Sequence, residues 1–232
     1  ENINLKIRKG EKLAIVGANG AGKTTLVKLL CGFYYPTEGN IKLNGHEISE
    51  YNIEEYYSLI SAVFQDIYLL PVTIAEFVST SENEIDREKV TDVIRQAGLD
   101  DKVKALPNGI DSKLMKGVFD DSIELSGGEK QKLMLARALY KDAPIIVLDE
   151  PTAALDPIAE NQLYLKYSEL TANKTSVYIS HRLASTRFCD RIIYLENGSI
   201  VECGTHDELM KLCGKYAYMF DVQSHYYKEN VE

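Results

Sequence analysis

The chain has 232 residues, of which 45% are hydrophobic and 26% are charged, a composition typical of a globular protein with a sizeable core. Its formal net charge of −9 argues against a broad nucleic-acid-binding face, so any anion has to be bound by a local device. No apolar run approaches the roughly 18 residues of a membrane-spanning helix and no signal peptide opens the sequence, so we expect a soluble segment. The four cysteines lack C-x-x-C spacing, which predicts reduced, mostly packing thiols of a cytosolic protein.

The N-terminal part of the sequence predicts strands around one helix. Residues 3–7 alternate between apolar and polar and predict a half-buried strand. The continuous apolar run over 13–17 predicts a buried strand, and a helix is expected from about Gly22 to Cys31. Asn44-Gly45 predicts a hairpin turn, and residues 61–65 predict a further strand.

The texture changes in the middle of the chain. Long apolar runs disappear between about residues 66 and 140, and polar helical stretches predict a mostly helical lobe. Two strands then return over 144–150 and 175–180. A hairpin over 191–204 turns at Asn197-Gly198, and two helices are expected over 206–227. Strands that alternate with helices predict an α/β fold with a parallel sheet.

A glycine-rich loop follows the first buried strand. GANGAGKT, residues 17–24, matches G-x-x-x-x-G-K-[ST] between a strand and a helix, which is the context that this phosphate-binding motif requires. Glycines let the backbone approach phosphates closely, and N–H groups at a helix start favour anions. Lys23 is suited to reach the β- and γ-phosphates, and the Thr24 hydroxyl is suited to ligate Mg²⁺. The predicted nucleotide-binding residues are Gly17, Asn19, Gly20, Ala21, Gly22, Lys23, Thr24 and Thr25.

Two acids end the apolar strand PIIVLDEP. Alternation along the strand would point Asp149 and Glu150 to opposite faces, but both lie at its carboxyl end, beside the glycine-rich loop. Asp149 is suited to hold Mg²⁺ through its water shell, and Glu150 to orient and polarise an attacking water. A plain strand end in a turn is the alternative, and the neighbouring loop disfavours it.

The stretch LSGGE marks the start of another helix. Ser126 and Glu129 have the S-x-x-E spacing of a capping box and predict a helix over 127–141. Gly127 and Gly128 leave the backbone N–H groups bare, so an anion can approach the positive end of this helix closely.

Taken together, GANGAGKT, VFQD, LSGGE, IIVLDEP, AALD and ISHR resemble the nucleotide-binding domain of ABC transporters in order and spacing, over essentially the whole chain. The resemblance implies a P-loop NTPase (RecA-like) core with a parallel sheet, an N-terminal antiparallel β subdomain and an inserted α-helical lobe. It implies one ATPase domain over 1–232, with an ATP-binding core at 1–65 and 141–232. The lobe at 66–140 would carry the signature LSGGE.

The same resemblance implies roles for residues that the motifs alone do not explain. Gln65 would touch Mg²⁺ and the attacking water, and His181 would contact the γ-phosphate of ATP. Asp156 would lie across a dimer interface, where Ser126 and Gly128 face ATP held by a second cassette, identical or different. No phosphate-binding lysine accompanies LSGGE, so the signature supplies half of a site. Segments expected to face the transmembrane domains are 72–78 and 116–124.

Two departures from the family pattern bear on function. Glutamine is usual where this chain has Glu129, and the added negative charge is expected to weaken ATP-driven closure slightly. The family's adenine-stacking aromatic would precede Glu1, so we expect a fragment of a longer chain with transmembrane domains fused upstream. Residues 185–209 resemble the exporter branch, and the segment before LSGGE resembles the peptide or bacteriocin exporters. An ATPase at the cytoplasmic face of the cell membrane is implied.

Three other functions remain open from the sequence. A non-transport ATPase of the same fold that acts on ribosomes or DNA usually carries paired cassettes, coiled-coil insertions or basic faces, which this sequence lacks. An ATP clamp that barely hydrolyses is disfavoured by the presence of Glu150 and His181. A P-loop kinase leaves LSGGE and ISHR without a role.

Overall fold

A computed structural model describes residues 3–117, 121–150, 166–169, 171–180 and 183–229. The strands are β1 Lys12–Val16, β2 Lys42–Leu43, β3 His46–Glu47, β4 Ile60–Val63, β5 Ile145–Asp149, β6 Thr175–Ile179, β7 Arg191–Glu196 and β8 Ser199–Gly204. The helices are α1 Lys23–Leu30, α2 Ile53–Ser58, α3 Ile74–Ser79, α4 Arg87–Ala97, α5 Asp100–Lys104, α6 Gly127–Lys141, α7 His206–Leu212 and α8 Lys215–Glu229, and residues 166–169 are helical as well.

Within the described residues, the main sheet has six strands in the order β4-β5-β6-β1-β7-β8. β1 pairs in parallel with β6 and β7, β5 pairs in parallel with β6, and β7 and β8 form an antiparallel hairpin. Residues 13–16 of β1 are fully buried, as expected for an apolar strand covered on both faces. The predicted α/β fold with a mostly parallel sheet is confirmed, and β2 and β3 form the separate antiparallel sheet around Asn44-Gly45.

The predicted strand over residues 3–7 is wrong. Burial does alternate along this described segment, but the backbone is not a strand. The Lys6 carbonyl accepts a hydrogen bond of 2.6 Å from the Arg191 guanidinium, a side chain rather than a neighbouring strand. Alternating polarity therefore encodes a half-buried surface here, whereas a strand also needs a backbone partner.

Two further differences concern short elements. The strand expected over 61–65 ends at Val63, so Gln65 lies in the bend that follows it. The six-residue helix α2 was not predicted, because it is too short for a helical period to show in the sequence. Its start is fixed locally, since the Asn52 side chain accepts a hydrogen bond of 2.8 Å from the Glu54 N–H group.

The described residues fall into two compact units. The first unit comprises residues 3–62, 144–150 and the described residues from 166 onward, and it holds most of the main sheet. The second unit comprises 63–117 and 121–143 and is mostly helical. The predicted boundaries between an ATP-binding core and a helical lobe stay predictions.

The second unit is organised around α6. Its helices α3, α4 and α6 bury apolar side chains that face one another: Ile74, Phe77, Val78, Val90, Ile94, Leu133 and Ala136. The Arg137 guanidinium lies over the Phe77 ring, 5.0 Å from its centroid, which covers the edge of this core. None of the described helices is both long enough and apolar enough to cross a lipid bilayer.

The four cysteines are not joined in disulfides and lie in two different environments. Cys31 and Cys189 are buried, but Cys203 and Cys213 are exposed. The expectation that the cysteines are mostly packing residues therefore holds for only half of them.

Candidate functional site

The phosphate loop, residues 17–25, connects β1 to α1 through glycines with positive φ. Gly17, Gly20 and Gly22 have φ angles of 146°, 79° and 99°. A Cβ atom on Gly17 would lie only 2.2 Å from the backbone oxygen of Leu195, so no larger residue fits there without moving β7. Glycine at this position therefore serves close packing against β7 as well as the turn itself.

The β7–β8 hairpin contacts the phosphate loop and supports its backbone. The Gly198 N–H group donates a hydrogen bond of 3.0 Å to the Ala21 carbonyl, and Leu195 lies against Gly17. The sequence predicted this hairpin and its turn but gave no sign that the turn contacts the loop, because the two segments are far apart along the chain. The loop conformation is thus fixed from outside the motif.

Lys23 is held inside the phosphate loop. It is 6% exposed, and its ammonium donates hydrogen bonds of 3.0 Å to the carbonyls of both Gly17 and Ala18. Burial lowers the pKa of Lys23, while the negative charges of Glu150 and Asp149 act in the opposite direction. The two loop carbonyls use two of the three N–H donors of the ammonium, which orients the positive charge at the start of α1.

Asp149 ends β5 as a buried carboxylate with a spare oxygen. It is 2% exposed and lies near the Thr24 side chain, and its Oδ1 has no hydrogen-bond partner among the described residues. Burial, together with the negative charge of Glu150, raises the pKa of Asp149 above its ordinary value, although the Thr24 side chain and the charges of Lys23 and Lys28 act in the opposite direction. A spare buried oxygen beside a hydroxyl fits a hard cation such as Mg²⁺.

Glu150 leaves the strand in an unusual backbone conformation. Its φ is 47°, although its N–H group still donates a hydrogen bond of 3.0 Å to the Ile179 carbonyl on β6. Strand alternation therefore does not set the direction of the Glu150 side chain, contrary to the expectation from the sequence. A left-handed conformation in a residue other than glycine costs free energy and recurs at functional positions. Because β1 and β5 both pair in parallel with β6, the phosphate loop after β1 and the two acids at the end of β5 lie at the same edge of the sheet.

The signature helix α6 begins as the sequence predicted. The Ser126 side chain accepts a hydrogen bond of 3.3 Å from the Glu129 N–H group, and the Glu129 carboxylate accepts one of 2.8 Å from the Ser126 N–H group. This capping box and the helix bounds Gly127–Lys141 are confirmed. The N–H groups of Gly127 and Gly128 belong to the first turn, where N–H groups find no carbonyl acceptor within their own helix.

A lysine that the sequence analysis missed faces this helix start. The Lys102 ammonium on α5 lies 3.2 Å from Glu129 Oε1. Partial burial raises the pKa of Glu129, but the hydrogen bonds from Ser126 and Lys102 outweigh it and leave that pKa below its ordinary value. Lys102 lies 27 positions before Glu129 within a charged stretch, where no motif distinguishes it.

The remaining predicted site residues are distributed as follows. In the first unit the phosphate loop, Thr24, Asp149 and Glu150 come together, and Asn19 and Thr25 are exposed on the loop. Gln65 is exposed in the second unit, to which the signature also belongs. Asp156 and His181 lie outside the described residues. Within the described part of the chain, no group of three or more His, Cys, Asp or Glu residues is arranged to hold a metal ion.

Comparison with known proteins agrees with this geometry. The ABC transporter family profile matches residues 1–153. A lipid A-core flippase of Cupriavidus pinatubonensis, described as ATP-dependent, is 41% identical over 226 residues, covering 96% of this chain and 38% of the relative. The corresponding flippase of Chromohalobacter salexigens is 40% identical over 223 residues, covering 96% of this chain and 38% of its own.

A solved structure extends the likeness to three dimensions. A bacterial Atm1-family ABC exporter with ATP bound superposes with a TM-score of 0.84 at 34% identity, covering 94% of this chain and 37% of the exporter chain. The chain thus spans somewhat more than a third of the length of the relatives that it matches.

Proposed function

This chain belongs to the family of ABC transporter ATP-binding domains, and from that premise we propose that it binds and hydrolyses ATP to drive export across a membrane. The observation that carries the proposal is the buried Asp149 with its spare oxygen, next to Thr24 and the ammonium of Lys23. A glycine-rich turn with a merely structural role does not explain why a neighbouring carboxylate oxygen is buried without a hydrogen-bond partner.

The first unit supplies the groups that would bind the nucleotide. Backbone N–H groups at the start of α1 and the Lys23 ammonium are suited to the phosphates of ATP. Thr24 and Asp149 of the first unit would hold Mg²⁺, which when bound neutralises phosphate charge, and Gln65 of the second unit is proposed as a further ligand. Nucleotide binding follows from family membership, whereas the metal and these individual contacts are part of the proposal.

Glu150 is proposed as the residue that orients and polarises the attacking water, with Gln65 and His181 as its partners at the γ-phosphate. A carboxylate within hydrogen-bond reach of a water molecule is suited to accept a proton from it. Glu150 directly follows β5 with a left-handed backbone, at the edge of the sheet where the phosphate loop follows β1, and this supports the assignment.

The signature would complete the site of a second cassette. We place Ser126, Gly127 and Gly128 against the terminal phosphate of ATP held by the partner, with Asp156 across the same interface. The exposure of Ser126 and Gly127 at the start of a 15-residue helix supports this assignment. Each ATP would then be gripped from both sides, so that closure depends on ATP and release follows hydrolysis.

Transmembrane domains are the proposed partners of the second unit. Tyr68 and Leu70, which follow Gln65, are 80% and 55% exposed, an apolar surface suited to a partner protein. In this proposal the first unit is the ATP-binding core, the second unit is the helical lobe, and the domain lies at the cytoplasmic face of the membrane. The peptide or bacteriocin exporter type stays a prediction from the sequence.

The Glu150→Gln variant tests the proposal. Hydrolysis should fall by about 10²-fold or more, while ATP should convert the purified monomer into a stable dimer, measured by size exclusion with light scattering. Glu169→Gln, a charge change in the helical segment 166–169, is the matched control and should hydrolyse ATP normally.

The outcomes separate the alternatives. A kinase would transfer phosphate to an acceptor and show no ATP-dependent dimer. A weakly hydrolysing clamp would form the dimer in the unmodified protein as well as in the Glu150→Gln variant. An unmodified protein that hydrolyses ATP at full rate as a monomer at every concentration would refute the two-cassette arrangement.

A further inference from the structure

The N-terminal half of α6 is tied to α5 and to the junction between α4 and α5 by two lysine contacts. Lys102 on α5 pairs with Glu129 at 3.2 Å, and one turn later the Lys132 ammonium donates a hydrogen bond of 3.2 Å to the Gly98 carbonyl. α5 is itself anchored by Leu99 and Val103, both of which are buried. The signature helix therefore meets a fixed positive charge on one side of its start.

The Glu129 carboxylate is engaged at both of its oxygens. Oε2 accepts the hydrogen bond of 2.8 Å from the Ser126 N–H group, and Oε1 faces Lys102. The Glu129 and Lys102 side chains are 25% and 39% exposed, so the pair is partly shielded from water. A carboxylate held at both oxygens cannot swing over the N–H groups of Gly127 and Gly128, and the lysine offsets its charge.

We propose that Lys102 is a positioning residue for the signature: it neutralises Glu129 and holds it aside, so that the start of α6 can receive a partner's nucleotide phosphate. The inference rests on the proposed function, because it concerns the half-site that the signature supplies. It also revises the expectation that Glu129 simply weakens closure. Glutamate can stand at this position because Lys102 offsets the charge that glutamine would not carry.

A purely structural role for the ion pair is the competing explanation. If the pair served stability alone, removing Lys102 would lower the thermal midpoint and leave ATP-dependent association unchanged. An ion pair with this exposure contributes little to stability, so we expect the midpoint to stay within about 2 °C of the original. Repulsion of a triphosphate by an uncompensated carboxylate would instead act only on ATP-dependent association. The two explanations therefore differ in which measurement changes.

The experiment uses the Glu150→Gln protein, in which ATP-dependent dimers accumulate under the proposed function. Lys102→Gln, Lys102→Arg and the double change Lys102→Gln with Glu129→Gln are compared for the ATP-dependent dimer dissociation constant at low and high salt. Lys104→Gln is the matched control, because Lys104 lies on the same short helix but pairs with Asp100.

We expect Lys102→Gln to weaken dimerisation by about 3- to 10-fold at low salt and by less at high salt, as expected for a screened charge. Lys102→Arg and Lys104→Gln should match the parent, and the double change should restore its affinity. Unchanged dimerisation of Lys102→Gln would overturn the inference, as would a loss that Glu129→Gln fails to rescue. If the parent forms no dimer with ATP, the proposed function falls, and this inference falls with it.

Discussion

Alanine at Gly17 should destabilise the protein far more than alanine at Gly20, although both glycines lie in the phosphate loop with positive φ. At Gly20 an added Cβ atom meets nothing within 4 Å, so the cost is the left-handed backbone alone, about 1–2 kcal/mol. At Gly17 the added atom would lie 2.2 Å from the Leu195 oxygen and 3.2 Å from its carbonyl carbon. Leu195 is fully buried in the main sheet and cannot yield cheaply.

The clash at Gly17 should add at least about 2 kcal/mol to the cost of its own positive φ, since relief requires either β7 or the loop to shift. For a chain of this length that difference corresponds to about 4–8 °C in the thermal midpoint. Differential scanning calorimetry of both variants without nucleotide measures it directly. Nucleotide is left out so that a change in binding does not contribute to the midpoint.

Equal midpoints for Gly17→Ala and Gly20→Ala would show that β7 gives way easily, and would refute the argument that the hairpin fixes the loop. A larger loss at Gly20 would refute it more strongly. A folded Gly17→Ala protein that binds ATP normally would also contradict close packing at this position.

Three further predictions concern ionisable groups. Because burial raises the pKa of Asp149, the charged form of this carboxyl lowers stability at pH values above the ordinary carboxyl range. Asp149→Asn should therefore raise the thermal midpoint at pH 8 by a few degrees, and this gain should shrink toward pH 5. A gain that does not depend on pH would contradict this. Burial, aided by neighbouring groups, raises the pKa of Tyr56 from 10.0 to about 12, and the Tyr56 hydroxyl donates a hydrogen bond of 2.6 Å to the Leu30 carbonyl. The stability of the wild-type protein should therefore fall between pH 10 and 12. In urea titrations, Tyr56→Phe should lose about 1 kcal/mol of stability at pH 8 and show a smaller decline at alkaline pH. Burial and a nearby arginine lower the pKa of His206, which contacts the Tyr216 hydroxyl at 2.8 Å; stability should therefore fall as the pH drops below 6.5, and His206→Gln should flatten the midpoint profile between pH 7 and 5. A profile for His206→Gln that matches the wild type would remove this explanation.

The elements with a strong local code were predictable from the sequence. Continuous apolar runs gave β1 and β5, Asn-Gly turns gave both hairpins, and the S-x-x-E spacing gave the start of α6 together with its capping box. Each of these signals acts between residues close together in the chain, so a single sequence is sufficient to read it.

Long-range relations were not predictable. Nothing near Lys102 indicates that it pairs with Glu129, and nothing in the β7–β8 turn indicates that it contacts Ala21. Residues 3–7 show the converse failure, because their alternation was real but their backbone partner was not a strand. The conformation of Glu150 also escaped prediction, since its positive φ follows from the surrounding fold rather than from its own preference.

The hydrogen bond between Gly198 and Ala21 also decides where a fluorescent label can be attached. A dye beside Asn197 would sense displacements of the phosphate loop, because that turn touches the loop backbone directly. A dye at His46, whose side chain is 72% exposed in the β2–β3 sheet, would serve as the insensitive reference. Replacing the exposed Cys203 and Cys213 by serine would leave cysteines introduced at Asn197 and His46 as the accessible thiols for labelling. One chain would then carry both the indicator dye and the reference dye.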